Sequence, residues 1–245
     1  MEKLKKFYDY KEYSLKNIKK AKISVRKELA IDSKTPFEVL AFLANDVNPE
    51  VRRYIAENPN TPKTILAMLA NDTNDYVRYA VARNQNTPSE VLAILVHDKD
   101  NEVCAEAIDN KNLPLEFVIS LLNDPSSYIR SSVVFNRALP PEILITLAND
   151  EDENVRRAVA VNLGTPSTTL RLLAKDKDEY VREEVAYNPN TPKELLVRFA
   201  KDANERIRTS VAFNPSTPTK TLKILANDSC KRVREGVECN LRNRK

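Results

Sequence analysis

Apolar residues recur along this chain at helical spacing, in two short clusters per 26 residues. In the stretch NPNTPKTILAMLANDTNDYVRYAVAR, from Asn58 to Arg83, Leu66, Leu69 and Ala70 stand at i, i+3 and i+4, and Val77, Val81 and Ala82 form a second inward set. Both sets trace one face of a helix, whereas a strand would alternate apolar and polar residues. The pattern therefore predicts a first helix of about ten residues opened by Thr61-Pro62, the threonine capping free N–H groups and Pro62 standing first in the helix. Glu38, Glu90 and Glu194 stand where they would complete capping boxes with Thr35, Thr87 and Thr191. A second helix is expected after Asn48, Asn74, Asp100, Ser126, Asp152, Asp178 and Asn204, all capping residue types, with Pro49 at a first helical position. It ends at an asparagine, where Pro59, Pro189 and Pro215 forbid continuation. Asn60, Asn86, Asn190 and Gly164 share the next turn position and suit a left-handed backbone.

The pattern repeats without insertion or deletion. Asn recurs at 58, 84, 110, 136, 162, 188, 214 and 240, Pro at 36, 62, 88, 114, 140, 166, 192 and 218, and Asp from 46 to 228 at the same interval. Arg follows each Asp by six residues, except at Cys104. A helix pair with one apolar face cannot bury it alone, so the expected fold is all-α, an α-solenoid of stacked 26-residue two-helix repeats without a β-sheet. Residues 1–31 read as a basic capping segment that includes half a repeat, residues 32–239 as eight repeats, and residues 240–245 as a basic tail.

The unit V-R-x-x-V-A-x-N-P-x-T-P-x-x-x-L-x-x-L-A-x-D resembles the leucine-rich repeat variant family. It is clearest from Val181 to Asp202, with Phe199 for the second Leu, and from Ile207 to Asp228, with Ile207 for the first Val. The resemblance covers about Val25 to Asn240. It implies a right-handed α-helical superhelix akin to armadillo and HEAT repeats, and it fixes no biochemical activity. The family's cysteine-ligated iron–sulfur module has no counterpart, since residues 1–31 contain no Cys.

Composition narrows the chemistry further. Two glycines against 14 prolines leave nothing for a phosphate-cradling loop or a dinucleotide fingerprint. The three cysteines indicate a reducing compartment, hence the cytoplasm, and no apolar run reaches the length of a membrane span. Residues 1–31 carry a net +6 and residues 231–245 a net +4, so the body between them is −6 within a total of +4. A nucleic-acid binder of this shape would show a basic stripe along its length. The Lys-rich start (Lys3, Lys5, Lys6, Lys11, Lys16, Lys19, Lys20 and Lys22) could still touch nucleic acid, but it reads better as a solvated cap whose Leu15, Ile18 and Ile23 cover the first repeat.

The repeated Asp/Arg pair reads as a structural ladder, because a catalytic site would be singular. Cys104 breaks it and leaves Asp98 without its local Arg, so a weaker joint or a substitute cation nearby is expected there. The asparagine series is expected to satisfy buried turn backbone. His97 is the only histidine and reads as a surface residue, and Cys230 and Cys239 lie too far apart for a disulfide. No catalytic residue, metal site or cofactor is expected. The variable positions at i, i+3 and i+7 of the second helices are more informative. Together with neighbouring Arg53 and Tyr54, they hold Tyr76, Tyr79, Arg83, Tyr128, Phe135, Arg157, Tyr180, Tyr187 and Phe213, the residue types that anchor interfaces. The competing reading makes Phe135, Tyr187 and Phe213 core residues between repeats. Leu113 and Leu139 in place of Thr, with Leu115 and Phe117, read equally as an apolar docking patch mid-chain or as local repacking around two missing caps. The expectation is a monomeric, non-catalytic scaffold that binds a protein or peptide along a concave second-helix surface, with nucleic acid as the lesser alternative.

Overall fold

The structure is a computed structural model that describes residues 15–136 and 138–244. Lys3, Lys5, Lys6 and Lys11 of the basic start lie outside them. The described residues form eighteen α-helices and one 3-10 turn, with no strand. The chain falls into two compact units, Met1–Val118 and Ile119–Lys245. The first holds α1 (Leu15–Lys20), α2 (Ile23–Ile31), α3 (Phe37–Leu43), α4 (Pro49–Glu57), α5 (Lys63–Leu69), α6 (Asp75–Arg83), α7 (Ser89–Leu95) and α8 (Asn101–Asp109). The chain crosses between units in α9 (Leu115–Ser120). The second then holds the 3-10 turn Leu121–Asn123, α10 (Ser127–Val133), α11 (Pro141–Leu147), α12 (Glu153–Val161), α13 (Ser167–Leu173), α14 (Glu179–Tyr187), α15 (Lys193–Phe199), α16 (Glu205–Phe213), α17 (Thr219–Leu225) and α18 (Lys231–Arg242). Each unit is a stack of two-helix repeats of the α-solenoid class.

Second helices start as their sequence dictates. The side chains of Asn48, Asn74, Asp100, Asp152, Asp178 and Asn204 accept backbone N–H groups of the first turn, and Pro49 occupies a first helical position. Ser126 makes no such side-chain bond. First helices start differently from expectation and are shorter, seven residues in α3 and α5. Pro36, Pro62, Pro88 and Pro192 stand at the cap itself, and no side chain caps there, so the boxes with Glu38, Glu90 and Glu194 do not form. The threonine hydroxyl points the other way. Thr35 donates to Leu29 O, Thr61 to Ile55 O and Thr87 to Val81 O at 2.5–2.6 Å, and Thr165, Thr191 and Thr217 do the same in the second unit.

Those bonds explain how the second helices end. A helix terminus leaves its last carbonyls without partners, and proteins often close it with a glycine in the left-handed region. No described residue has positive φ, so the left-handed turn expected at Asn60, Asn86, Asn190 and Gly164 does not occur. Instead α2, α4, α6, α10, α12, α14 and α16 are closed from the next repeat. Asn84 Nδ2 donates to Ala56 O (2.6 Å) and Asn58 O (3.1 Å), while its Oδ1 accepts the Asn86 N–H (2.8 Å). Asn58, Asn110, Asn188, Asn214 and Asn240 repeat both donations at the same intervals, and Asn162 repeats the first. Asn60, Asn86, Asn190 and Ser216 add a parallel rung to Ser33 O, Pro59 O, Leu163 O and Pro189 O.

At the other end of the repeat, arginine joins neighbours. Arg78 Nη1 donates to the carbonyl of Asp72 (2.9 Å), while Nε and Nη2 grip both carboxylate oxygens of Asp98 at 2.7 and 2.8 Å. Arg26, Arg52, Arg130, Arg156 and Arg208 grip the carboxylate twenty residues ahead in the same way. Each carboxylate also accepts a backbone N–H two residues on, for example Asp98 from Asp100. Burial works to raise Asp72, Asp98 and Asp176, but the guanidinium and N–H bonds outweigh it and hold their carboxyls below the ordinary value of 3.8. Asp98, which Cys104 leaves without a local Arg, is thus held by Arg78, the nearby cation that the sequence allowed for. Cys104 Sγ takes the position of an Nη1 donor, 3.0 Å from Asp98 O, and burial raises its thiol pKa.

At the start of the first unit, Ile18 is buried with Leu29 and Ala30, whereas Leu15 and Ile23 are exposed. Leu113 is buried where other repeats have threonine, so it adds to the core rather than to a surface patch.

Candidate partner-binding surface

Within each unit the second helices pack extensively on one another, while successive first helices touch far less. In the first unit, α2, α4, α6 and α8 form the continuous row, and in the second α10, α12, α14, α16 and α18 do. Residues at i, i+3 and i+7 of these helices share one stripe.

In the first unit Arg53 lies over the ring of Tyr54, with 4.7 Å from guanidinium carbon to ring centroid, and pairs with Glu57 at 3.0 Å. Tyr76 is 65% exposed. Tyr79 is only partly exposed, and its hydroxyl donates to Glu106 Oε1 (3.0 Å) one repeat on. Burial and that carboxylate push its phenol above the ordinary value. Arg83 is exposed and shares with Tyr79, Glu57, Pro59 and Gln85 a cleft of about 510 Å³.

In the second unit the stripe closes into one cluster. Tyr180 lies between two arginines from flanking repeats, Arg157 at 5.9 Å and Arg206 at 5.0 Å from its centroid. Arg157 also binds Glu184 through Nε and Nη2 at 2.9 and 2.7 Å, and Arg206 pairs with Glu183 at 3.2 Å. The ring remains 41% exposed, with Tyr187 and Phe213 at 60% and 40% on the same row. Tyr128 is half-buried on α10, and Phe135, just beyond that helix, is 53% exposed. Phe135, Tyr187 and Phe213 are therefore not sealed between repeats. Among the described residues no group of three or more His, Cys, Asp or Glu could hold a metal ion, the three cysteines are free, and His97 is exposed. No described helix is long and apolar enough to cross a membrane.

Two family models match the chain, one described as "Leucine Rich Repeat Variant domain" over residues 26–85 and one as "Leucine rich repeat variant" over residues 77–100. A solved structure described as a leucine-rich repeat variant with a novel repetitive protein structural motif is 25% identical, with a TM-score of 0.58 over 88% of this chain and 86% of that one. Residues 26–100 are thus similar to leucine-rich repeat variant repeats. A designed armadillo repeat protein is similar at 15% identity and a TM-score of 0.29, over 89% of this chain and 91% of that one. No curated protein sequence matches.

The repeat divides its residues cleanly. Asn, Thr, Asp and Arg of the repeated pattern bond mostly to main chain or to one another across joints, while the stripe differs from repeat to repeat. Sequence reasoning missed Glu106 and Glu184, which stand one position past the stripe and anchor Tyr79 and Arg157. A carboxylate 27 residues beyond a tyrosine or arginine was the available signal, because that interval joins adjacent second helices.

Proposed function

We propose that this protein is a non-catalytic repeat scaffold that binds a protein or peptide segment along its second-helix rows. The observation that carries the reading is the Arg157–Tyr180–Arg206 cluster with Tyr187 and Phe213 beside it. It offers large, partly exposed aromatic faces held in place by ion pairs, so little side-chain freedom is lost on docking. The closer packing of second helices supports their placement on the inner side of a curved stack, since an inner layer is the more tightly spaced. The arginines of this cluster are paired with carboxylates, which favours a peptide over a phosphate backbone needing many unpaired cations.

Panning a displayed random-peptide library on the whole chain tests this. Selected peptides should lose binding with Tyr180→Ala and Tyr187→Ala and depend weakly on salt. Selected peptides that bind the double variant unchanged would refute the assignment. Steep salt dependence with single-stranded or duplex DNA as the better ligand would favour nucleic acid.

A further inference from the structure

The joint between the repeats of Arg182 and Asp202, inside the second unit, departs from the ladder. Arg182 Nη1 still donates to the carbonyls of Asp176 (2.7 Å) and Lys177 (3.1 Å), as its counterparts do. Its Nε and Nη2, which elsewhere grip a carboxylate, have no partner among the described residues. Asp202, the carboxylate at that register, accepts the Asn204 N–H (2.9 Å) and no guanidinium. Two residues set this joint apart. Phe199 fills the core position held by Leu173 and Leu225 in the adjacent repeats, and Arg198 stands where they have Leu172 and Ile224. Arg198 lies 5.1 Å from the Phe199 centroid and donates through Nη2 to Ala174 O at 2.7 Å.

The same crevice one repeat earlier is the internal control. There Arg156 grips Asp176 at 2.7 and 3.0 Å, and the space is about 380 Å³. At the open joint it is about 560 Å³, lined by Arg182, Arg198, Lys201, Asp202, Glu194 and Val197. Glu194 is engaged by Arg171. Two guanidinium groups with spare N–H donors and one ammonium therefore line a crevice with two carboxylates, of which Glu194 is already held by Arg171 and Asp202 has no guanidinium partner.

We propose that this crevice is an oxyanion site, taking a phosphate or carboxylate group on the free edge of Arg182 with Arg198 and Lys201 as further donors. The chemistry is that of bidentate guanidinium recognition, in which paired N–H groups match two oxygens of one anion. The site is separate from the aromatic row and does not depend on peptide binding there.

Calorimetric titration of the full chain with inorganic phosphate, and separately with a hexaglutamate peptide, at constant ionic strength tests the proposal and distinguishes a free anion from an acidic segment. Arg198→Leu restores the residue type of the preceding repeat, so it should keep the fold by circular dichroism while weakening binding about tenfold, as loss of one charge-assisted bond implies. Asp202→Asn removes the opposing charge and should tighten binding severalfold. Absence of saturable binding of either probe would overturn the site. So would an Arg198→Leu protein that binds like the parent, or an Asp202→Asn protein that binds no better.

Discussion

Replacing Asn84 by alanine tests the central physical claim, that a second helix such as α4 is closed by an asparagine from the following repeat. Asn84 is 8% exposed and makes three bonds to main chain, to Ala56 O, Asn58 O and the Asn86 N–H. Ala56 lies in the last turn of α4, so its carbonyl has no helical partner of its own. The variant leaves that buried carbonyl and the Asn86 N–H unpaired. At about 1–3 kcal/mol for the buried Ala56 carbonyl, with less from the part-buried N–H of exposed Asn86, the cost is roughly 1–4 kcal/mol, reduced at the low end by water entering the space of the lost amide. That is a large share of the ~5–15 kcal/mol that holds a domain together, and it falls on one joint. Urea titration followed by circular dichroism should show a clear fall in midpoint. Hydrogen exchange should speed at the amides of the adjoining turns. Asn86→Ala, whose side chain is more exposed and reaches only Pro59 O, should cost about 1 kcal/mol or less. If Asn84→Ala melted within ~0.5 kcal/mol of the parent, the asparagine ladder would be decoration and the account of helix termination wrong.

Three further outcomes follow from the same joints. Arg78→Met strands the carboxylate of Asp98 in a site where the pair is 5% and 9% exposed, so it should cost about 3 kcal/mol in urea titration, and Asp98→Asn added to it should recover part of the loss. The carboxyls of Asp150 and Asp228 are held below 3.8 first by Arg130 and Arg208, and those of Asp72, Asp98 and Asp176 are lowered despite burial. Lowered folded-state values contribute stability that is present above pH ~4 and is lost as pH falls through them, so melting temperature should drop steeply below that point; a constant melting temperature down to pH 2 would contradict the ladder. Thr169 sits where other repeats have Val39, Ile65 or Val91, and its hydroxyl is buried without a partner, so Thr169→Val should raise stability by about 1 kcal/mol in the same assay.

Much of this architecture was legible because period, apolar spacing and start signals are local. Asn74 and Asp178 cap the helices that the sequence assigns to them, and the amides of Asn58 and Asn188 satisfy turn backbone as their repetition implied. What was not legible is direction. In a strictly periodic sequence a side chain finds suitable partners in its own repeat and in either neighbour, and spacing alone does not choose among them. The run from Thr35 to Glu38 carries a capping-box signature, yet Thr35 is buried and its hydroxyl reaches back to Leu29 O. Asp98 has no Arg six residues on, yet Arg78 holds it from the preceding repeat. Arg182 shares the repeated spacing with every other ladder arginine, and only the structure shows its rung open beside Arg198 and Phe199.

The scarcity of glycine now has a mechanical reading. A helix terminated by its own left-handed residue is complete in itself, whereas one terminated by Asn84 or Asn214 is complete only when the next repeat is in place. Closing each terminus across the joint makes every helix end part of the stacking interaction. It also makes the spacing strict, because an amide that must reach carbonyls 28 and 26 residues back tolerates no insertion between them. The frame is thereby fixed by Asn, Thr, Asp and Arg, whose partners are largely main chain, and the i, i+3 and i+7 stripe of each second helix is relieved of holding the fold. Residues such as Tyr76, Tyr180 and Tyr187 can differ from repeat to repeat for that reason, which is the condition a surface needs if its side chains are to be selected by what they bind.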